Sequence, residues 1–208
     1  IAHQYGLHTS IFLMIGLPGE THDDVMATIR LMAEAKPGRY RWSYFFPFPG
    51  TKAYEISSDR NQIDFDKMTA MENFTDESCL NFGSNHNLFL SKVGSIMPWF
   101  VNAYSNLPVA DIYHKKIEEI LKMDEKAWKK RIPNIEAEDK EMSDKFVSQG
   151  LSHYAIPDDR FMGLISDYFT AENHSQDNLT AGQDYEAHHS YVREECHEKG
   201  DSVLYLAP

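Results

Sequence analysis

Short apolar runs and one amphipathic segment alternate over residues 9–51. Residues 9–16 form an apolar run that is too short for a typical helix and ends at glycine, which predicts a buried strand. Apolar positions then recur with helical spacing over residues 22–35, after a threonine suited to capping a first turn. A second apolar and aromatic run, Tyr40–Phe46, predicts another strand. The predicted order is therefore strand, helix, strand.

The connection between the two strands holds a single helix, which implies that the strands pair in parallel. Parallel strands bring the loops that follow them to the same, carboxyl edge of the sheet, where ligands bind in open sheets and barrels alike. Both loops contain proline and glycine. Glycine permits positive φ and close approach of a ligand to the backbone, and the helix start after Gly16–Glu20 offers free N–H groups. We therefore expect a ligand site at this edge.

The two loops resemble those of a known enzyme family. The segments GLPGETHDDVMATI and YFFPFPGTKAY are similar to the fifth and sixth strands of the radical S-adenosylmethionine enzymes, most of all to the subgroup with an added cobalamin-binding domain. The resemblance covers residues 1–56. It implies an α/β fold, in which these are the carboxyl-terminal strands of a partial (β/α) TIM-like barrel followed by a mainly helical extension. The implied cofactors are S-adenosylmethionine, a [4Fe-4S] cluster and, from an upstream domain, cobalamin.

The resemblance also implies binding roles for two sets of residues. In the family, the first loop packs an apolar residue near the adenine and shapes the pocket with glycines, and the backbone of the second loop meets the adenine edge. The first set is Ile15, Gly16, Leu17, Pro18, Gly19 and Glu20, and the second set is Phe46, Pro47, Phe48, Pro49, Gly50 and Thr51. Glu20 has two open interpretations, a hydrogen bond to the cofactor or a favourable charge at a helix start. The sequence identifies no catalytic residue.

Aromatic side chains around the second strand, namely Tyr44, Phe45, Phe46 and Phe48, also have two open interpretations. They would suit the enclosure of a radical, and they equally suit a plain core. The alternation of the strand decides between these roles, and the sequence does not establish its register. Arg41, near the start of the strand, is expected to lie away from the chemistry.

The ligands for the cluster are not in this chain. The family binds its cluster through a CxxxCxxC motif after the first strand, whereas this chain has only Cys79 and Cys196. Two distant cysteines cannot supply three thiolates. We therefore expect a carboxyl-terminal fragment, with strands one to four, the cluster loop and any cobalamin domain upstream, and with no metal ligand of its own.

Helical patterns dominate after residue 56. Residues 57–132 predict a helical extension with a break at Pro98, and residues 133–208 predict a charged linker followed by helical and short-strand pieces. Within the last region, residues 133–150 predict a solvated helix face or a linker, and residues 151–169 predict a further helix. One predicted apolar face comprises Leu88, Val93, Ile96 and Met97, and another comprises Ile112, Ile117, Ile120 and Leu121.

Composition limits the partners. A net charge of −12 weighs against a broad nucleic-acid-binding face, so we expect a small-molecule or peptide substrate. The absence of a long apolar stretch and the presence of two cysteines suit a cytoplasmic protein without a membrane segment.

The histidines around Cys196 match no zinc spacing and predict a surface helix. Candidates for a lid, each better explained as packing, are Tyr104, Tyr113, His114, His153 and Tyr154.

Three functions remain open at this point. The first is the carboxyl-terminal part of a radical S-adenosylmethionine enzyme that performs methyl transfer or a radical rearrangement. The second is a complete phosphate-binding α/β domain that uses the first loop on a nucleotide. The third is a noncatalytic, acidic helical interaction module that carries a barrel remnant.

Overall fold

The structure is a computed structural model and describes residues 9–71, residues 77–156 and the backbone of residues 162–164. The strands are β1 (Ser10–Ile15), β2 (Arg39–Tyr44), β3 (Tyr154–Ala155) and β4 (Met162–Leu164). The helices are α1 (His22–Ala35), α2 (Lys52–Asp59), α3 (Phe65–Ala70), α4 (Ser84–Ser95), α5 (Met97–Tyr104), α6 (Ala110–Leu121), α7 (Glu125–Arg131) and α8 (Ile135–Ser148).

The strands β1 and β2, which α1 connects along the chain, pair in parallel, as the sequence predicted. Ser10 lies opposite Arg39 and Ile15 lies opposite Tyr44. In the part of the chain that the structure describes, the strand order is β1-β2-β4-β3, with β4 antiparallel to both of its neighbours. The strand β1 is therefore an edge strand there, and these four strands form a mixed sheet in which only β1 and β2 run parallel.

The start and end of α1 follow from local chemistry. Thr21 accepts a hydrogen bond from the Asp24 N–H at 3.3 Å, and the Asp24 carboxylate accepts one from the Thr21 N–H at 2.9 Å. This capping box satisfies donors that the first turn leaves without partners. Lys36, with φ of 45°, takes the left-handed conformation and donates its N–H to Met32, and Pro37 then ends the helix.

The helices cover one face of the β1–β2 pair. Trp42 donates its indole N–H to the Gly94 carbonyl at 2.7 Å, and Tyr44 donates its hydroxyl to the Leu90 carbonyl at 3.1 Å, so this face packs on α4. The opposite face is open among the described residues, with Phe12 73% exposed. Successive side chains of a strand point to opposite faces of the sheet. Because Trp42 and Tyr44 face the helices, Ser43 between them lies on the open face.

The helical region confirms one predicted apolar face and corrects the other. The helix is interrupted between α4 and α5, next to Pro98, as predicted. Three of the four residues predicted for the first face are buried, namely Val93, Ile96 and Met97, and Leu88 is partly buried against the core. In α6 the buried residues are Tyr113, Ile117 and Ile120.

The predicted second face was wrong in two positions, because Ile112 and Leu121 are exposed. Tyr113 replaces Ile112 with the i, i+4, i+7 spacing of Tyr113, Ile117 and Ile120, which places one stripe against α5. The sequence alone did not distinguish the two neighbouring stripes, since both contain isoleucine at helical spacing.

The last described part of the chain agrees with prediction in one element and differs in another. Residues 135–148 form α8, a helix with a solvated face, which confirms the first of the two predicted alternatives, although its Asp139 and Phe146 are buried. The helix predicted over residues 151–169 was wrong in residues 154–155 and 162–164, which are the strands β3 and β4.

Asn102 explains part of this outcome: its side chain donates to the Tyr154 carbonyl at 2.6 Å and accepts from the Tyr154 N–H at 2.8 Å. Two backbone groups are thereby satisfied in an extended conformation. The predicted surface helix around Cys196 and the pieces predicted beyond residue 164 lie outside the described residues.

Candidate functional site

The two proline and glycine loops start side by side at the carboxyl edge of the parallel pair. The Phe45 N–H donates to the Ile15 carbonyl at 2.8 Å, which continues the β-ladder to the last residue before the first loop. Ile15 and Gly16 are buried, whereas Leu17 and Phe48 are exposed at the edge. The structure therefore brings the two predicted sets of residues together in one place.

Gly16 and Gly19 need the conformational freedom of glycine, since their φ angles are +75° and +90°. A side chain at Gly16 would approach Leu90 at 3.6 Å, Ser78 at 3.7 Å and Phe82 at 3.8 Å, which is ordinary contact distance. Backbone conformation, and not lack of space, therefore selects glycine at position 16.

Glu20 braces this loop. Its carboxylate accepts the Gly16 N–H at 2.5 Å and also the N–H of Leu17, and the Glu20 N–H donates to the Leu17 carbonyl at 2.9 Å. Partial burial raises the pKa of the Glu20 carboxyl, and the two N–H groups offset part of that increase. The N–H of Gly16 is therefore occupied within the loop and is not left for a ligand.

An aromatic wall lies next to the first loop and comprises His22, Phe82, His86 and Phe89. The ring of His22 stacks on those of Phe89 and His86, with centroids 4.1 Å and 4.7 Å apart. Burial lowers the pKa of His86, and the neighbouring His22 lowers it further. The neutral imidazole of His86 is therefore favoured, and the wall provides flat rings, of which Phe82 lies beside Gly16. Sequence analysis missed this wall, because His22 lies far along the chain from the other three members.

The second loop is ordered by its own backbone and by the cap of α2. Thr51 donates its hydroxyl to the Phe48 carbonyl at 2.8 Å and accepts the Tyr54 N–H at 3.1 Å, which starts the helix. Phe46 and Phe48 pack with ring centroids 4.9 Å apart, and Pro47 is buried while Pro49 is exposed. Gly50, with φ of +84°, has no atom within 4 Å of the place that a Cβ would take.

Arg60 joins the two loops through α2. The helix begins at the Thr51 cap in the second loop and ends at Arg60, whose guanidinium lies over Gly19 in the first loop. A Cβ on Gly19 would lie 2.9 Å from Nη1 of Arg60. The sequence contained no signal for this contact, since it depends on how α2 crosses the edge.

The structure also resolves the roles of the other aromatic and lid candidates. Tyr44 and Phe45 are core residues, and Phe48 is exposed at the edge. Three of the lid candidates, Tyr113, His153 and Tyr154, are fully buried. Tyr154 donates its hydroxyl to the Pro37 carbonyl at 2.7 Å. These three residues therefore hold the core together and do not cover the edge.

Among the described residues, no group of three or more His, Cys, Asp or Glu side chains could hold a metal ion. Cys79 is a buried free cysteine, and burial raises the pKa of its thiol, which disfavours the thiolate that ligates iron. The described helices also include none that is both long and apolar enough to cross a bilayer.

Two curated proteins are similar to part of the chain. Both are named tRNA-2-methylthio-N(6)-dimethylallyladenosine synthase, one from Ehrlichia ruminantium strain Gardel and one from strain Welgevonden. They are 28% and 27% identical to it over 131 residues, which is 57% of this chain and 29% of each relative's length. No family model and no solved structure matches the chain.

The chain therefore spans well under half of the curated relatives that it matches. The similarity supports the radical S-adenosylmethionine superfamily, which the two loops predicted. It lends no support to the cobalamin-binding subgroup.

Proposed function

We propose that this chain provides the carboxyl-terminal edge of the S-adenosylmethionine site in a radical S-adenosylmethionine enzyme, whose cluster is bound by residues outside this chain. One observation carries the proposal: two glycine-containing loops, each matching a family motif, follow paired parallel strands at one edge. In this proposal β1 and β2 are the last strands of a partial barrel, and a further parallel strand pairs with β1 at the edge that is open among the described residues.

The residues present fit the adenosyl part of this cofactor. The positive φ of Gly16 and Gly19 opens the backbone, Glu20 holds the loop in that shape, and the aromatic wall offers flat rings to a purine. Bound at the cluster, S-adenosylmethionine supplies radical chemistry by reductive cleavage of its sulfonium. The contribution of Leu17 and Phe48 is to exclude water from the reacting centre, since both present apolar surface at the edge.

The test compares two glycines with similar backbone conformations in the full-length protein. Gly16→Ala imposes a side chain at φ of +75° inside the proposed site, and Gly150→Ala imposes one at +67° in the turn after α8. Both variants should lose stability, typically about 1 kcal/mol for an unfavourable backbone conformation. Only Gly16→Ala should also weaken S-adenosylmethionine binding, by about tenfold or more, measured by calorimetry under anaerobic conditions.

Equal affinities for the two variants would mean that Gly16 serves the turn alone, and the proposed site would then be wrong. Failure of the reconstituted full-length protein to show iron–sulfur absorbance and to cleave S-adenosylmethionine would overturn the enzyme assignment as a whole.

The relatives suggest a second candidate for the substrate, because their name specifies an adenosine of tRNA. The net charge of −12 favours a small molecule or peptide as the substrate. Binding of tRNA to the full-length protein at two salt concentrations decides between them. Affinity that falls steeply with salt supports tRNA, and no binding at low salt supports the smaller substrate.

Cobalamin dependence and methyl transfer rest on the loop resemblance alone. We propose them as the finer form of the same function, in a cytoplasmic setting that protects an oxygen-sensitive cluster. Binding of hydroxocobalamin to the full-length protein, followed by its visible absorbance, tests the first of these properties. A full-length protein that cleaves S-adenosylmethionine without binding cobalamin would remove both from the proposal.

A further inference from the structure

We propose that the open face of the β1–β2 pair binds the substrate and that Arg41 binds an anionic group of that substrate, a carboxylate or a phosphate. The inference rests on the proposed function and gives it a substrate class, a small anionic molecule with an apolar part. The residues of the open face alternate with those that pack toward the helices. They are Ser10, Phe12 and Met14 of β1 and Arg39, Arg41 and Ser43 of β2.

The register of the two strands places an apolar side chain beside a cation. Phe12 lies opposite Arg41, and Met14 lies opposite Ser43. Phe12 and Met14 are 73% and 48% exposed, so both offer apolar surface to a bound molecule. Because neighbouring strands lie about 4.8 Å apart, a ligand with a flat or aliphatic part next to an acidic group can contact Phe12 and Arg41 together.

The open face has the mixed composition of a ligand site. Strand faces that are filled by packed side chains consist mainly of valine, isoleucine and leucine, whereas four of these six residues are arginine or serine. The two apolar residues, Phe12 and Met14, are neighbours on β1 and form one continuous surface. Ligand sites combine apolar surface of this kind with a few placed polar groups.

The charge of the open face favours an anion. Two of its six residues are arginines and none of the six is acidic, although the chain as a whole has a net charge of −12. A positive face on an acidic chain attracts an anionic ligand and disfavours a cationic one. A guanidinium presents paired N–H donors that match the oxygens of a carboxylate or a phosphate.

Of the two arginines, Arg41 is the better placed for this role. Arg39 begins β2 at the end far from the loops, and its Nε–H donates to the Ser10 hydroxyl at 3.1 Å. Arg41 lies closer to the loops, three residues before the end of β2, which is about 10 Å along a strand. A substrate held by Arg41 therefore extends toward the carboxyl edge, where our proposed function locates the cofactor. Position along the strand predicted that Arg41 lies away from the chemistry, and the face on which it lies changes that expectation.

The experiment uses the full-length protein with S-adenosylmethionine bound, so that the cofactor site is filled. The probes are phenyl phosphate and benzoate, which join a flat ring to each kind of anion, and benzyl alcohol, which has the ring without the charge. Equilibrium dialysis under anaerobic conditions measures their binding. At least one anion should bind the wild type about tenfold more tightly than benzyl alcohol, and the tighter of the two identifies the anionic group.

Three variants locate the effect. Arg41→Gln should lose about tenfold or more in affinity for the tighter anion and stay within about twofold of wild type for benzyl alcohol. Arg41→Lys should recover part of the lost affinity, since a lysine keeps the charge but lacks the paired donors. Arg39→Gln is the matched control, because it removes the same side chain from the same face farther from the loops. It should change each affinity by less than about threefold, as a more distant and screened charge.

The outcomes separate the inference from the proposed function. A wild-type protein that does not bind S-adenosylmethionine overturns the proposed function, and the inference falls with it. If the wild type binds S-adenosylmethionine but neither anion, or if Arg41→Gln binds both anions as tightly as wild type, the inference alone is wrong.

Two further results would also contradict the inference. Equal losses for benzyl alcohol and the anions in Arg41→Gln would give Arg41 a structural role, which unfolding curves for all variants would then show as a loss of stability. Weaker binding of S-adenosylmethionine itself by Arg41→Gln would place Arg41 in the cofactor site and not in a substrate site.

Discussion

At the residue scale, Glu20 makes a contact that neither sequence interpretation included. The sequence left open a contact with the cofactor or a favourable interaction with the helix dipole. In the structure the carboxylate turns back to the Gly16 N–H. Glu20 therefore stabilises the shape of the first loop.

We predict that Glu20→Ala lowers the free energy of unfolding by about 1–3 kcal/mol, because the buried N–H of Gly16 loses its acceptor. Urea unfolding followed by circular dichroism measures this change. Glu34→Ala, which removes an exposed carboxylate on the helix α1 that follows the loop, is the matched control and should change stability by less than about 0.5 kcal/mol. Equal stabilities for the two variants would show that the brace contributes nothing.

At the element scale, local patterns predicted the helices and strands whose apolar spacing was unambiguous. They did not predict an element whose conformation depends on a side chain distant in sequence. The strand–helix–strand unit and the break at Pro98 follow from periodicity and turn residues. The strand β3 does not, because its backbone is satisfied by Asn102 of α5. No window of sequence around Tyr154 contains that information.

The packing of α4 on β2 predicts the effect of a single methyl group. A Cβ on Gly94 would overlap the hydroxyl and ring of Tyr44, so Gly94→Ala should lower stability by about 1–3 kcal/mol through overpacking. Helix propensity alone would predict a gain of about 1 kcal/mol. Thermal unfolding decides the sign of the change.

A double-mutant cycle with Tyr44→Phe tests the cause. Because the Tyr44 hydroxyl is the first atom that the new methyl group meets, Gly94→Ala should cost less in the Tyr44→Phe background. An equal cost in both backgrounds would assign the effect to the Gly94 backbone instead.

At the scale of the whole molecule, Asp139 connects three parts of the fold. Its carboxylate accepts the Trp99 indole N–H of α5 at 2.6 Å and the Ile156 N–H that follows β3 at 2.7 Å, while it is itself carried by α8. Burial raises the pKa of Asp139 to about 6, the two N–H donors lower it, and nearby Glu138 raises it slightly.

This pKa predicts a loss of stability as pH rises. Since the folded pKa of about 6 exceeds the ordinary value of 3.8, the contribution of Asp139 is fully present below pH 3.8 and is lost as pH rises through about 6. The loss amounts to about 3 kcal/mol at most, since each pH unit between the two pKa values contributes about 1.4 kcal/mol. Urea unfolding at a series of pH values measures it.

Asp139→Asn cannot ionise and should lack this part of the pH dependence. The informative quantity is the difference in slope between the two proteins over this pH range, because the variant also changes hydrogen bonding to Trp99 and Ile156. Parallel stability curves would show that Asp139 titrates near its ordinary value.

The sequence by itself determined the strand–helix–strand unit, its parallel pairing and the meeting of the two proline and glycine loops at one edge. These features follow from periodicity, turn residues and the length of one connection, all of which are local. Tertiary structure alone decided which face of β2 is buried, which stripe of α6 packs, where Arg60 lies and that β3 is a strand. Each of these depends on contacts between residues distant in sequence, whose energies no local pattern records.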